Sequence, residues 1–160
     1  MLLNADQVTE LLTTNDKGAK AQVGYDLTLK QVKRVQGGLV STVSTIVNPY
    51  EEVSTFTMED NQEYFILSPG TYSITFEQGI QLPSNKTAFI VHRSSILRCG
   101  SVITSGIYDP GFQVEEMGAM LIVTEQITIE KGARVAQVYV FENTESEKYD
   151  GQWMGKSDYK

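Results

Sequence analysis

The chain has one cysteine, one histidine, four prolines and no apolar run near the length of a membrane span. Each shortage removes a class of protein. Cys99 alone cannot form an internal disulfide, so no covalent staple of that kind supports the fold. His92 alone excludes a multi-histidine metal site and any catalytic relay that needs a second histidine. A spanning helix takes ~20 consecutive apolar residues, and the opening "MLLNADQVTELL" lacks the basic region and cleavage site of a secretory leader. The expectation is a soluble protein of a reducing compartment, cytoplasmic, or in the host cytoplasm if the source is a virus. Basic residues are scarce too: 13 Lys and Arg against 20 Asp and Glu leave a net charge of −7. A nucleic-acid polymer or an anionic membrane demands a basic surface, so neither is an expected partner. Any phosphate site must be a local cluster.

At 160 residues and 41% hydrophobic, the chain suits one domain with a real core. Near the start, Asn4 precedes Gln7 by three residues, with Val8, Leu11 and Leu12 at helical spacing, which predicts one short capped helix. Beyond it the period changes to two. Tyr25-Asp26-Leu27-Thr28-Leu29-Lys30, Tyr64-Phe65-Ile66-Leu67, Tyr72-Ser73-Ile74-Thr75-Phe76 and Ile127-Thr128-Ile129 alternate and are rich in β-branched and aromatic residues. Turns are expected at Gly37-Gly38, Pro69-Gly70, Pro83, Pro110-Gly111 and Lys131-Gly132. Short, evenly spaced strands predict an all-β barrel or double-sheet fold over residues 1–141. The polar, weakly periodic residues 142–160 are expected to form a mobile C-terminal arm.

Chemistry-bearing residues cluster where strands end. His92-Arg93-Ser94-Ser95 follows an apolar run, and two readings are open. The hydroxyls could cap a short helix through Ile96-Leu97-Arg98, or, with a forked guanidinium and Arg98, they could grip phosphate oxygens. Asp109 likewise opens an ordinary Asp-Pro-Gly turn. No Cys/His metal constellation, P-loop or dinucleotide fingerprint is present.

Four blocks in order, Val23-Gly24-Tyr25-Asp26-Leu27, Arg93-Ser94-Ser95, Gly106-Ile107-Tyr108-Asp109 and Lys131-Gly132-Ala133-Arg134-Val135-Ala136-Gln137, resemble the motifs of the trimeric dUTPase and dCTP deaminase superfamily. The resemblance implies a distorted jelly-roll barrel, a homotrimer with sites assembled from neighbouring subunits, and a deoxyuridine or deoxycytidine triphosphate as substrate. The features of the two branches are mixed. The Pro-Gly turn, the Leu-Pro before the next strand, Arg98 and the Asp-Pro-Gly turn lean towards the deaminases, whereas the first, third and fourth blocks look like dUTPase motifs.

Chemistry separates them. Zinc-free deamination needs a glutamate to shuttle protons, and the resemblance places it on the strand after Asp-Pro-Gly. That strand here reads Gly118-Ala119-Met120-Leu121-Ile122-Val123, without a carboxylate. Glu115 and Glu116 lie in the preceding connection and would serve only if the alignment slips. The expected activity is therefore dUTP diphosphohydrolysis. A dCTP deaminase, monofunctional or bifunctional, and a non-catalytic nucleotide-binding regulator are the alternatives.

The resemblance further implies that Asp109 activates the attacking water, with Ser94 bonding the α-phosphate or bridging oxygen. Arg93, Ser95 and Gln137 would hold phosphates, and residues 105–108, including Ser105, Gly106 and Tyr108, would read the base. Ile103 or Thr104 stands where dUTPases usually carry asparagine. Phe112 would pack against deoxyribose, and Arg98, Tyr149, Gln152 and Lys156 would close over the phosphates, although the usual glycine-rich closing motif is replaced by "YDGQWMGKSDYK". Mg2+ is expected, held by the nucleotide and water with no protein ligand.

Overall fold

The computed structural model describes residues 1–144 and 147–156. It opens with helix α1 (Ala5–Thr9), and the predicted capping box is complete: Asn4 accepts from the Gln7 N–H at 2.9 Å, and the Gln7 side chain accepts from the Asn4 N–H at 3.0 Å. Val8 is buried against the barrel. The strands then follow as β1 (Ala19–Lys20), β2 (Tyr25–Arg34), β3 (Gly38–Val40), β4 (Thr45–Val47), β5 (Glu51–Glu52), β6 (Phe56–Thr57), β7 (Glu63–Leu67), β8 (Gly70–Phe76), β9 (Ile80–Gln81) and β10 (Lys86–His92). Helix α2 (Ser94–Arg98) precedes β11 (Ser101–Thr104), β12 (Gln113–Val114), β13 (Gly118–Val123), β14 (Ile127–Glu130) and β15 (Arg134–Glu142).

Strands β2, β15, β10, β11, β13 and β8 pair in that order, and β8 returns to pair β2, closing a barrel. All of these pairings are antiparallel. The core is the inward row of each strand, with Leu27, Leu29, Ile74, Phe76, Ile90, Leu121, Val138 and Val140 buried. The alternation seen in the sequence changes phase at two places. Register shifts lie between Leu29 and Gln31 on β2 and between Arg134 and Ala136 on β15, so Val32 rather than Gln31 turns inward.

Two features depart from the sequence reading. A second short helix, α2, joins β10 to β11, and Arg93 occupies its cap position without a side-chain capping bond. Ser94 and Ser95 sit inside its first turn with exposed side chains, so neither performs the capping role. The tail also differs from a mobile arm: within residues 147–156, the Tyr149 N–H bonds to the Pro110 carbonyl at 2.7 Å and the Gly155 N–H to the Gln113 carbonyl at 3.0 Å. Residues 145–146 and 157–160 of the expected arm lie outside the described residues.

Outside the barrel, β3 and β4 form a hairpin that pairs with no other strand among the described residues, while β6, β7 and β14 make a small separate sheet. Ile90, fully buried on the central strand β10, should dominate stability over the exposed helix cap. Ile90→Ala is expected to cost about 2–5 kcal/mol in urea unfolding, and Asn4→Ala about 0.5–2 kcal/mol.

Candidate active site

The strand register assembles one polar cluster. Gln137 on β15 lies opposite Asp26 on β2 and Val91 on β10, which carries Arg93, just beyond the end of β10, next to Arg134. The Asp26 side chain, 5% exposed, meets Arg93 Nε and Arg134 Nη1 each at 3.3 Å, both through Oδ2. Its Oδ1 accepts from Gln137 Nε2 at 2.8 Å. Arg93 Nη1 also donates to the Arg134 carbonyl at 3.2 Å, and Gln137 Oε1 accepts from the Tyr139 hydroxyl. A carboxylate this buried is tolerated because each oxygen is paired. Two guanidiniums around one carboxylate leave a local excess of one positive charge in a chain of net −7. With the exposed Ser94, Ser95 and Arg98 beside it, the cluster has the donor set of a phosphate site. His92 is occupied nearby, its Nδ1 accepting from the Ile103 N–H at 3.3 Å.

A second cluster is built along the other edge of β10. Tyr108 bridges to Ala88 through two backbone hydrogen bonds of 3.0 and 2.7 Å. Ser105 Oγ accepts from the Ile90 N–H at 2.8 Å, which leaves its own proton available to a ligand. The Tyr108 hydroxyl donates to the Gly118 carbonyl at 2.6 Å, and its ring stacks on Phe112 with centroids 5.2 Å apart. Asp109 begins the turn: the Phe112 N–H bonds to the Asp109 carbonyl at 3.1 Å, and Gly111 has φ +81°. Proline at the second turn position and a positive-φ glycine at the third suit a type II turn. The turn leaves the Asp109 side chain exposed on the rim of a cavity of about 810 Å³.

Ser105, Gly106, Tyr108, Asp109, Phe112, Tyr149 and Lys156 line this cavity. Of the two residues at the expected asparagine position, Thr104 lines it and Ile103 is buried in the core. Phe112 contributes little surface, because it is 5% exposed and Tyr149 packs edge-on against it at 5.4 Å. Gln152 is exposed away from the cavity.

Arg93, Ser94, Ser95, Arg98 and Gln137 do not line it either. Strand β10 separates Arg93 from the Ala88–Tyr108 bridge by about five residues of extended chain, or about 16 Å. The two clusters come nearer at Thr104, which pairs with Val91 on β10, the residue opposite Gln137.

The two alternative glutamates lie elsewhere. Glu116 forms an ion pair with Lys30 in a separate groove, where their hydrogen bond raises the lysine's pKa, and Glu115 faces solvent. Neither lines the Asp109 cavity, and β13 contributes only Gly118, Ala119 and Met120 to it.

Three residues were missed in the sequence: Asp26, Arg134 and Trp153, the last of which lines the cavity. Asp26 and Arg134 stand inside recognised blocks, and for Asp26 the signal was a carboxylate between the apolar residues Tyr25 and Leu27 of one strand. Nothing in the weakly periodic tail marked Trp153.

The profile of the dCTP deaminase-like family matches residues 3–143. A probable deoxyuridine 5'-triphosphate nucleotidohydrolase of Halobacterium salinarum is 30% identical over 133 residues, covering 82% of this chain and 80% of its own. The deoxyuridine 5'-triphosphate nucleotidohydrolase of Methanocaldococcus jannaschii is 26% identical, covering 98% of this chain and 100% of its own. Among solved structures, the 2'-deoxycytidine 5'-triphosphate deaminase from Agrobacterium tumefaciens superposes with a TM-score of 0.62 at 15% identity over 87% of this chain. The chain spans 47% of that deaminase. The EIAV dUTPase superposes with a TM-score of 0.53 at 15% identity, covering 89% of this chain and 97% of its own. The fold is that of the dUTPase and dCTP deaminase barrels. The chain belongs to the dCTP deaminase-like family.

Arg93 and Arg134 share one carboxylate, so their losses should not add. Arg93→Gln or Arg134→Gln alone is expected to cost about 1–3 kcal/mol in urea unfolding. The double variant, which leaves Asp26 with Gln137 only, should cost more than the sum.

Proposed function

We propose that the protein hydrolyses dUTP to dUMP and pyrophosphate. The observation that carries this reading is the composition of the Asp109 cavity, which has an aspartate on its rim and, among the described residues, no glutamate in its lining. Removal of the cytosine amine requires a group that moves protons among water, ring nitrogen and leaving ammonia. Diphosphohydrolysis requires less of the protein: a positioned water and neutralised phosphate charge. The nucleotidohydrolase names of the archaeal relatives point the same way.

In this mechanism the Asp109 carboxylate accepts a proton from water as the water oxygen bonds to the α-phosphorus. The bond from that phosphorus to the α,β-bridging oxygen breaks, and the bridging oxygen leaves with pyrophosphate. Ser94 donates a hydrogen bond to the departing or α-phosphate oxygen, while Arg93, Ser95, Arg98 and Gln137 hold the chain. Pyrimidine and deoxyribose occupy the cavity, read by Thr104, Ser105 and the backbone to Tyr108, with Phe112, Tyr149 and Lys156 at its wall. Magnesium arrives as the triphosphate chelate, that is, as part of the substrate. A protein cage for it does not fit: no three metal-ligating groups converge among the described residues, and both Asp26 oxygens are engaged.

The polar cluster and the cavity share no lining residue among the described residues. The half-sites are completed by neighbouring copies in a homotrimer, so that the phosphate cluster of one faces the cavity of the next.

The test is incubation with magnesium and, separately, dUTP, dCTP, dTTP and UTP, with pyrophosphate and ammonia recorded independently. Pyrophosphate from dUTP without ammonia is the expected outcome. Ammonia from dCTP would establish deamination instead, and no product from any nucleotide would leave a binding protein. Asp109→Asn should retain nucleotide affinity and lose at least ~100-fold in turnover. Wild-type turnover in that variant would mean the base is another residue.

A further inference from the structure

We infer that the β3–β4 hairpin is the roof of the nucleoside cavity, and that Leu39 and Ile46 are specificity-determining residues that contact the pyrimidine nucleoside. The inference rests on the reading that this cavity holds the nucleoside. It concerns residues that no sequence motif marked.

Leu39 and Ile46 are directly opposed partners across the two strands. Both line the cavity, yet they are 54% and 56% exposed, so their apolar surface faces open space and not a packed neighbour. A cross-strand pair of this kind normally packs against a sheet face or another strand. Here the hairpin pairs with no further strand among the described residues, and the barrel wall lies across the cavity. That wall is a row in register on β8, β13 and β11: Ser73 opposite Met120, and Met120 opposite Thr104. The wall thus carries the hydroxyls of Ser73 and Thr104 on either side of the Met120 side chain, and the hairpin opposite presents hydrocarbon. A pyrimidine nucleoside has the matching division, with polar edges on a ring whose faces are apolar.

Charge assigns the same part of the substrate. Residues 37–48, "GGLVSTVSTIVN", contain no charged side chain in a chain that is 21% charged. The roof therefore suits base and sugar, and it offers nothing to a triphosphate. Its position is set at the base of the hairpin. Gly37 has φ +76°, a Cβ on Gly38 would lie 2.2 Å from the Ile46 carbonyl oxygen, and the Asn48 N–H and side chain bond to Gly37 and Gln36 carbonyls at 3.0 and 2.9 Å.

The only tryptophan of the chain, Trp153, lines the same cavity, so its fluorescence reports occupancy without turnover. The experiment titrates wild type, Leu39→Ser, Ile46→Ser and the conservative Leu39→Met with the α,β-imido analogue of dUTP, and with inorganic pyrophosphate as the phosphate-only control. Steady-state kinetics with dUTP and the solution mass of each variant accompany the titrations. Each serine variant is expected to weaken analogue binding and raise KM by roughly tenfold or more. Their kcat should stay within about threefold of wild type, as removal of uniform binding predicts. Pyrophosphate binding should not change, and Leu39→Met should behave as wild type.

Equal analogue affinity in wild type and both serine variants would overturn the roof, whatever the activity. So would serine variants that lose affinity only because their solution mass has fallen, since the hairpin would then be an interface between copies. A wild-type protein that releases no pyrophosphate, yet binds the analogue more tightly than the serine variants, would overturn the diphosphatase reading and leave the roof standing.

Discussion

The pairing of β10 on both its edges is the constraint on which the site depends. Its hydrogen bonds to β15 bring Gln137 and Arg134 beside Arg93, and through β15 they reach Asp26 on β2. Its other edge pairs Val91 with Thr104 and, through the Tyr108 bridge, holds the segment that lines the cavity. Barrel closure through β2 and β8 forbids either edge from sliding, because a slip of one residue would turn the inward row of β10 towards solvent. The two clusters thus lie on opposite edges of β10.

Electrostatics at the phosphate end follow from the same packing. A chain with excess acid cannot attract a triphosphate by its overall field. It concentrates Arg93 and Arg134 around Asp26, which holds both arginines in place before ligand arrives. Preorganised donors lose less freedom on binding than free side chains do. The cavity differs: Asp109 and Lys156 are its charged lining residues, with Ser105 and Thr104 on the barrel side and the uncharged hairpin on the other. The two ends differ in polarity as the two ends of a nucleotide do.

The strands, the capped helix and the two chemical clusters were legible in the sequence because each rests on short-range rules. Asn4 and Gln7 lie within one helical turn, and the alternation of Tyr72-Ser73-Ile74-Thr75-Phe76 is local to a single strand. Asp109-Pro110-Gly111 specifies its turn through residues in direct succession. The role of the serines in Arg93-Ser94-Ser95 was not legible in this way, since a cap and a ligand donor look alike until Arg93 is seen to hold the cap position.

The amino-acid order alone determined an all-β architecture, the absence of a carboxylate from β13 and the identity of the polar blocks, because periodicity and residue type need no partner to be read. Tertiary structure decided the rest. Bulges moved Val32 inward, the tail docked against Pro110 and Gln113, and Glu116 turned away to Lys30. The β3–β4 hairpin came to lie over the cavity, and Asp26 became the partner of residues more than a hundred positions away, Arg134 and Gln137. Such contacts depend on strand register and chain closure, which are set by the whole core and not by any one segment.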